Sequence, residues 1–341
     1  MKRNTLVIIL SILGLGILLC IVPVLFSASI RLIATLSAPD DKNNLPTISY
    51  ETTGNDSNLE KLWSKSGIFV DSYLNRGGAQ IVAAREVVII NGRPTEGGKF
   101  QVFALSGSNG SLLWKLPEHI FSLFATSSAV YMGYTSHVKA HDLRTGKLFW
   151  SSEKLPARNV SYLLVVDNFI YAHSQAAHLL QADTGNLIAN LPGYPSKTTL
   201  DEWNIDAPPE YFNRFDDLTL TQDTKFVRGV AEFRGEGVRA IDLESEANLW
   251  ELGNGIISNV AATETTLYLI TKDRKLLGLD TRSGQIISSI QFKVIPSTLN
   301  NVRYSTGGYY VAVDQDAGLV YAYLGDSQQL FAFKIVDYSG N

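Results

Sequence analysis

The chain has 341 residues and a formal net charge of −4, and the three cations before residue 32 leave −7 for the remainder. This acidic balance argues against nucleic acid and anionic lipid headgroups as partners. Cys20 is the only cysteine, so the stability of the fold does not depend on disulfide bonds.

The first predicted element is an apolar segment over residues 6–30, preceded by Lys2 and Arg3. About 20 such residues span a bilayer core, whereas the apolar part of a signal peptide is shorter. We therefore predict that residues 1–31 form a single-pass transmembrane signal anchor. The positive-inside rule places the N-terminus in the cytoplasm and the rest of the chain outside the cell membrane. Cleavage near residues 27–29 is the alternative.

Residues 32–58 follow the anchor and are polar, with prolines at positions 39 and 46. This composition is typical of linkers. We predict a flexible stalk here, followed by the main domain over residues 59–341.

The main domain contains imperfect copies of one segment, and the fullest copy runs from Ala140 to Trp150. An aspartate that can hydrogen-bond nearby backbone groups, then a glycine suited to positive φ, indicates a hairpin turn. A tryptophan follows the turn glycine by four residues, although Ala189 and Ser288 replace it in two copies. The predicted structural residues of the repeat are Trp63, Trp114, Asp142, Gly146, Trp150, Asp183, Gly185, Trp250, Asp280 and Gly284.

Each copy, with two alternating apolar runs before it, makes four strands in roughly 40 residues, the length of a propeller blade. The copies predict an all-β propeller of about six four-stranded blades, with seven possible. Tryptophans in the repeat would fill the space between neighbouring blades. The last copy ends at Asn341 without its outermost strand, and residues 59–63 have the spacing of that strand. We expect this N-terminal strand to close the ring.

The turn segment resembles the PQQ-like (quinoprotein-type) propeller repeat, Ala-x-Asp-x-x-Thr-Gly-x-x-x-Trp. Ala140, Asp142, Thr145, Gly146 and Trp150 match it, and the resemblance extends over the main domain. The family includes quinoprotein dehydrogenases, typically with eight blades, a calcium ion and a vicinal disulfide, and a periplasmic scaffold lipoprotein of the outer-membrane β-barrel assembly machinery. A shorter ring without a cysteine implies the non-enzymatic branch, similar to that scaffold, with no quinone cofactor.

The longest departure from the repeat is an insertion at residues 193–217, rich in aromatic and acidic residues. Insertions on repeat scaffolds commonly form binding surfaces. We expect the insertion to share one rim with the loop at residues 91–98, on the side away from the anchor. The alternative is that its aromatic residues plug the axial channel. The predicted partner-binding residues are Tyr194, Trp203, Tyr211, Phe212 and Phe215.

No catalytic, metal or cofactor site is predicted. His137 and His141 lie on one side of an alternating strand, but no third ligand joins them, and the other histidines are scattered. Residues 314–318 resemble the start of a calcium loop, and a hairpin turn explains them better. We therefore predict a protein-binding or scaffolding module of the cell envelope, anchored in the membrane. The alternative is a propeller that binds a small molecule or glycan at its axial channel, possibly as an enzyme.

Overall fold

The structure, a computed structural model, describes eleven stretches of the chain and shows only β-strands as regular elements there. The predicted anchor lies outside these stretches. Within them, no helix has the length and apolar character needed to cross a membrane. The chain divides into two compact units, residues 1–46 and 47–341, and only the second is described. The described residues are 49–53, 58–70, 80–94, 98–156, 158–174, 176–191, 218–221, 223–228, 237–253, 255–295 and 308–336.

Twenty-five strands make up the described fold. In chain order they are β1 Ser49–Thr53, β2 Leu59–Ser66, β3 Ile81–Ala84, β4 Val87–Gly92, β5 Gln101–Ser106, β6 Leu112–Leu116, β7 Ser122–Ala125, β8 Ala129–Gly133, β9 Val138–Asp142, β10 Leu148–Ser151, β11 Tyr162–Val166, β12 Phe169–His173, β13 Ala177–Gln181, β14 Leu187–Leu191, β15 Leu218–Leu220, β16 Thr224–Arg228, β17 Val238–Asp242, β18 Asn248–Leu252, β19 Ala261–Ala262, β20 Thr266–Ile270, β21 Lys275–Asp280, β22 Ile286–Ile295, β23 Tyr310–Asp314, β24 Leu319–Leu324 and β25 Gln329–Ile335.

The strands form six antiparallel sheets, which are the six blades of a propeller. Blades one to four are β3 to β6, β7 to β10, β11 to β14 and β15 to β18; blade five is β19 to β22 with β1 added, and blade six is β23 to β25 with β2. Six blades are confirmed, and the alternative of seven is wrong. Apolar side chains fill the space between blades, as where the fully buried Ile89 of blade one shares a cluster with Val130 of blade two.

The two faces of the ring differ in the segments they carry. Connections between blades, and loops between the second and third strands of a blade, lie on one face, which we call the connection face. The tight turns between first and second strands, and between third and fourth strands, lie on the other, which we call the turn face. This follows from the antiparallel strand order within each blade.

The N-terminal strand closes the ring, as the sequence predicts. β2 pairs with β25 from Leu59 opposite Ile335 to Ser66 opposite Gln329. The closing strand is therefore longer than residues 59–63. Because β2 and β25 come from opposite ends of the chain, blade six joins those ends in one sheet.

A second N-terminal strand departs from the prediction of a flexible stalk. β1 pairs with the last five residues of β22, from Ser49 opposite Ile295 to Thr53 opposite Gln291. The stalk prediction is wrong for these residues, because backbone hydrogen bonds and the burial of Tyr50 outweigh the polar composition. Ser49 lies beside the end of β22 that leads to blade six, so the chain enters at the connection face. β2, in contrast, begins at the turn face, because Leu59 pairs with Ile335 at the end of β25.

Tyr50 holds β1 in place through a buried cluster at the boundary of blades five and six. Its hydroxyl donates to Asp326 Oδ2 at 2.5 Å, and its backbone N–H donates to Gln329 Oε1 at 2.7 Å. The guanidinium of Arg274 also contacts Asp326 Oδ2, at 3.0 Å. Burial, followed by the hydrogen bond to Asp326, raises the pKa of the Tyr50 hydroxyl. The phenol therefore stays protonated and remains a donor.

The repeat tryptophans connect four of the six blades to the blade that follows. The indole N–H of Trp114 in blade one donates to the carbonyl of Leu143 in blade two at 2.9 Å. Its ring covers Gly146, where a Cβ would lie 2.8 Å from Cδ2 of the indole. Trp63, Trp150 and Trp250 donate in the same way to Gly107, Ala182 and Thr281, and cover Gly110, Gly185 and Gly284.

The turn aspartates are placed as predicted in two of three cases. Oδ1 of Asp142 accepts from the N–H of Thr145 at 2.7 Å, and Oδ1 of Asp280 accepts from the N–H of Ser283 at 2.7 Å. Asp183 is not an equivalent residue. Gln181 takes that position, since its carbonyl accepts from the N–H of Gly185 at 2.8 Å as the carbonyl of Asp142 does from Gly146. The prediction for Asp183 is wrong, because glutamine replaces aspartate at position 181 and the next aspartate lies two residues further on.

Candidate functional site

The predicted partner-binding residues of the insertion lie outside the described residues. These are Tyr194, Trp203, Tyr211, Phe212 and Phe215. The prediction for them stays a prediction. A different aromatic surface is described on the connection face of blades one and two.

The first part of this surface is a row of stacked rings. Phe100 stacks on His119 with ring centroids 4.3 Å apart, and His119 meets Phe121 at 4.9 Å. The guanidinium of Arg93 also lies over the ring of Phe100, 4.2 Å from its centroid. His119 is exposed and the two phenylalanines are only half-buried. Three rings thus present apolar area to solvent beside a cation.

A second group continues the surface across blade two. The ring of Tyr134 stacks on that of His137, with centroids 4.6 Å apart and planes at 3°. Lys139 Nζ lies 4.5 Å from the centroid of the same tyrosine and 2.7 Å from Glu118 Oε1. The Tyr134 hydroxyl donates to the other oxygen of that carboxylate. Glu118 precedes His119, so the two groups are continuous along the chain.

Backbone hydrogen bonds fix the loop that carries Tyr134 and His137. The connection from blade two to blade three runs beneath it, and the amides of Leu155, Asn159 and Val160 donate to three successive loop carbonyls at 2.7–2.8 Å. Loops usually carry binding residues when a rigid scaffold holds them. This loop meets that condition.

A buried amide holds the row of rings against blade one. Asn91 Nδ2 donates to Gln80 Oε1 at 2.7 Å and to the carbonyl of Ile120 at 3.1 Å. Ile120 lies between His119 and Phe121, so this bond positions both rings. The Oδ1 atom of Asn91 is buried and has no hydrogen-bond partner among the described residues.

Both histidines are neutral at neutral pH. Burial, and next the charge of Arg93, lowers the pKa of His119. Burial, and next the charge of Lys139, lowers the pKa of His137, although Glu118 acts in the opposite direction. Since an unperturbed histidine titrates near pH 6.5, the two imidazoles add aromatic area without charge.

The sequence analysis missed this surface because it treated the histidines singly. His137 directly precedes β9, whereas His141 lies near the far end of that strand, where its Nδ1 is 2.9 Å from the carbonyl of Gly146 on the turn face. His119 and His137 instead follow strand ends on the connection face. The order of the strands predicts that both histidines lie on this face, but only after the bounds of each blade are known.

The turn at residues 314–318 is a hairpin turn, as predicted. Asp314 Oδ1 accepts from the amide of Ala317 at 3.2 Å, and Oδ2 accepts from the amide of Glu86 at 2.5 Å. The carboxylate therefore binds backbone within the fold, and burial raises its pKa. Across the described stretches, no three His, Cys, Asp or Glu residues are grouped as metal ligands would be.

The comparison with protein families decides the classification. The family model described as "Outer membrane protein assembly factor BamB" matches residues 98–333. The chain belongs to this family. The match runs from just before β5 into β25 and covers the stacked rings on the connection face. It confirms the resemblance to the PQQ-like repeat.

Solved structures and curated proteins add less. The crystal structure of BamB from Moraxella catarrhalis is similar, with 18% sequence identity and a TM-score of 0.31 over 76% of this chain and 70% of that chain. That superposition carries no argument, and the fold assignment rests on the strand pairing of this chain. A search of curated proteins finds no match.

Proposed function

We propose that the protein is a scaffold of the cell envelope that binds other proteins through its propeller. The observation that carries this proposal is the family match over residues 98–333, since the family is described as an assembly factor. An assembly factor acts by binding other proteins. The proposal involves no catalytic step and no cofactor.

The connection face of blades one and two supports the proposal. Binding hot spots are enriched in aromatic residues and arginine. Phe100, His119 and Phe121 form such a group with Arg93 over it. Because backbone hydrogen bonds fix the neighbouring loop of Tyr134 and His137, a partner would lose little free energy in ordering it.

Membrane anchoring is part of the proposal. The apolar run over residues 6–30, with Lys2 and Arg3 before it, supports a single-pass anchor with a cytoplasmic N-terminus and an extracytoplasmic propeller. The alternative, a propeller that binds a small molecule or glycan at its axial channel, is favoured by no observation in the described ranges.

Affinity purification of the full-length protein from crosslinked native membranes tests the scaffold function. We expect one or a few envelope proteins to co-purify at constant ratio through size-exclusion chromatography. A protein that purifies alone, with the circular dichroism spectrum of a folded β-protein, would contradict the proposal.

Anchoring has its own test. Alkaline carbonate extraction should leave the full-length protein in the membrane pellet, and its intact mass should include residues 1–31. Release into the supernatant with a new N-terminus near residues 27–29 would instead show a cleaved signal peptide.

A further inference from the structure

The described segments on the connection face of blades one to three carry more cations than carboxylates. Its described segments are residues 93–94, 98–100, 117–121, 134–139, 152–161 without residue 157, and 173–177 without residue 175. The cations in them are Arg93, Lys99, Lys139, Lys154 and Arg158, and the carboxylates are Glu118 and Glu153. Glu96 in the same region lies outside the described residues. These described segments, which we call the positive sector, have a net positive charge, whereas the whole chain has a net charge of −4.

Three of these cations are available to a partner. Lys99, Lys154 and Arg158 are exposed, and none forms an ion pair with a residue that the structure describes. Lys139, in contrast, already pairs with Glu118 at 2.7 Å. Lys99 directly precedes Phe100, and Lys154 and Arg158 lie on the connection from blade two toward blade three, on the same face.

We propose that this sector binds an acidic, extended segment of a protein partner. The inference rests on the proposed scaffold function and names the chemistry of the partner. Carboxylates of the segment would pair with Lys99, Lys154 and Arg158, and its apolar side chains would pack on Phe100, His119 and Phe121. The neutral state of the histidine favours this packing. Opposite charges across an interface speed association and select the partner.

The insertion of this chain is a competing occupant. Residues 193–217 contain six acids against Lys197 and Arg214. Lys99, Lys154 and Arg158 are exposed, and we take this as favouring a protein partner as the occupant. The experiment must separate the two occupants.

A labelled twelve-residue peptide of alternating glutamate and phenylalanine is the probe, with a lysine and phenylalanine peptide as its counterpart. Fluorescence anisotropy measures binding to the full-length protein in detergent micelles. A triple variant, Lys99→Glu with Lys154→Glu and Arg158→Glu, tests the charges, and His119→Ala tests the rings. Lys147→Glu on the turn face, also exposed, is the matched control for charge reversal.

We expect the acidic peptide to bind and the basic one not to. The triple variant should weaken binding at least tenfold, His119→Ala several-fold, and Lys147→Glu less than twofold. Higher salt should weaken binding to the unmodified protein and matter less for the triple variant.

Equal binding by the triple variant, or no binding of the acidic peptide, would overturn the inference. Binding that appears only after the six acids of the insertion are changed to their amides would assign the sector to the insertion and also overturn it. If envelope proteins still co-purify with the triple variant, the scaffold function stands and only this inference fails.

Discussion

Glu246 occupies the turn position that is glycine in the neighbouring blades, and Ala189 occupies the tryptophan position of the blade before it. Ala189 pairs with Leu179 in the register in which Trp150 pairs with Ala140. Glu246 has a φ of 55°, close to the 69° of Gly146. Glycine is therefore required at this turn where a tryptophan packs on it, and positive φ alone does not demand it.

The steric part of this requirement can be measured at Gly146. A Cβ there meets the Trp114 ring at 2.8 Å, whereas at Gly255, with φ of 97°, nothing lies within 4 Å. Gly146→Ala should lower the free energy of unfolding by about 2–5 kcal/mol, from backbone strain and overpacking together. Gly255→Ala, the control, should lower the free energy of unfolding through backbone strain alone, by about 1–2 kcal/mol. Urea denaturation gives both values, and equal losses would refute the steric explanation.

The pairing can also be built into the blade that lacks it. Ala189→Trp alone should destabilise the protein by about 1–3 kcal/mol, because the new ring meets the side chain of Glu246. Glu246→Gly alone should change stability by less than about 1 kcal/mol. The double variant should recover about 1–3 kcal/mol of coupling energy. Additive effects in a double-mutant cycle would show that the two positions do not interact.

Acid stability should depend on Asp242. The amide and hydroxyl of Ser245, and then Arg282, lower the pKa of its carboxyl to about 2. The lowered pKa of Asp242 stabilises the fold at pH values above the pKa that this carboxyl has in the unfolded chain, which is near 4. This stabilisation is lost as the pH falls toward 2. Asp242→Asn should lower the melting temperature at pH 7 and reduce its decline between pH 4 and 2.

The control for this experiment is Asp183→Asn. Asp183 is exposed and does not take the position of the turn acceptor. Its substitution should lower the melting temperature at pH 7 less than Asp242→Asn does. If both variants follow the unmodified protein across the range, the turn carboxylate does not account for its acid sensitivity.

The Tyr50 cluster makes β1 part of the folded ring. Tyr50→Phe removes a hydrogen bond to the buried carboxylate of Asp326 and should destabilise the protein by about 1.5–3 kcal/mol. Hydrogen exchange of the β1 amides should accelerate with it. Glu51→Gln, at the exposed neighbouring position, should change neither quantity. Unaltered exchange in Tyr50→Phe would show that strand pairing alone holds β1.

The repeat made the architecture predictable from the sequence. Trp63, Trp114, Trp150 and Trp250 are large, rare and placed at the same position of the repeat, so they reveal blades and the closing strand before any coordinates. β1 could not be predicted, because its stability comes from the pocket around Tyr50, whose residues lie more than 220 positions away. Polar composition over residues 32–58 gave no signal of it.

The stacked surface was less predictable than the ring. Phe100, His119 and His137 come from three different loops, and no local pattern links them. Phe100 and His119 stack on each other, and His137 lies on the same face, because consecutive blades place those loops on one side of the ring. The sequence pointed to the insertion instead, since aromatic residues concentrated in one segment are visible without topology.

Site-resolved photocrosslinking in cells tests the central claim, binding of a protein partner at the connection face, most directly. A photoreactive residue would replace His119 on that face or Ser108 on the turn face, both exposed, in the full-length protein. The account predicts a discrete adduct with one envelope protein from position 119 and none from position 108. An adduct from position 108 alone, or none from either position in a folded protein, would contradict it.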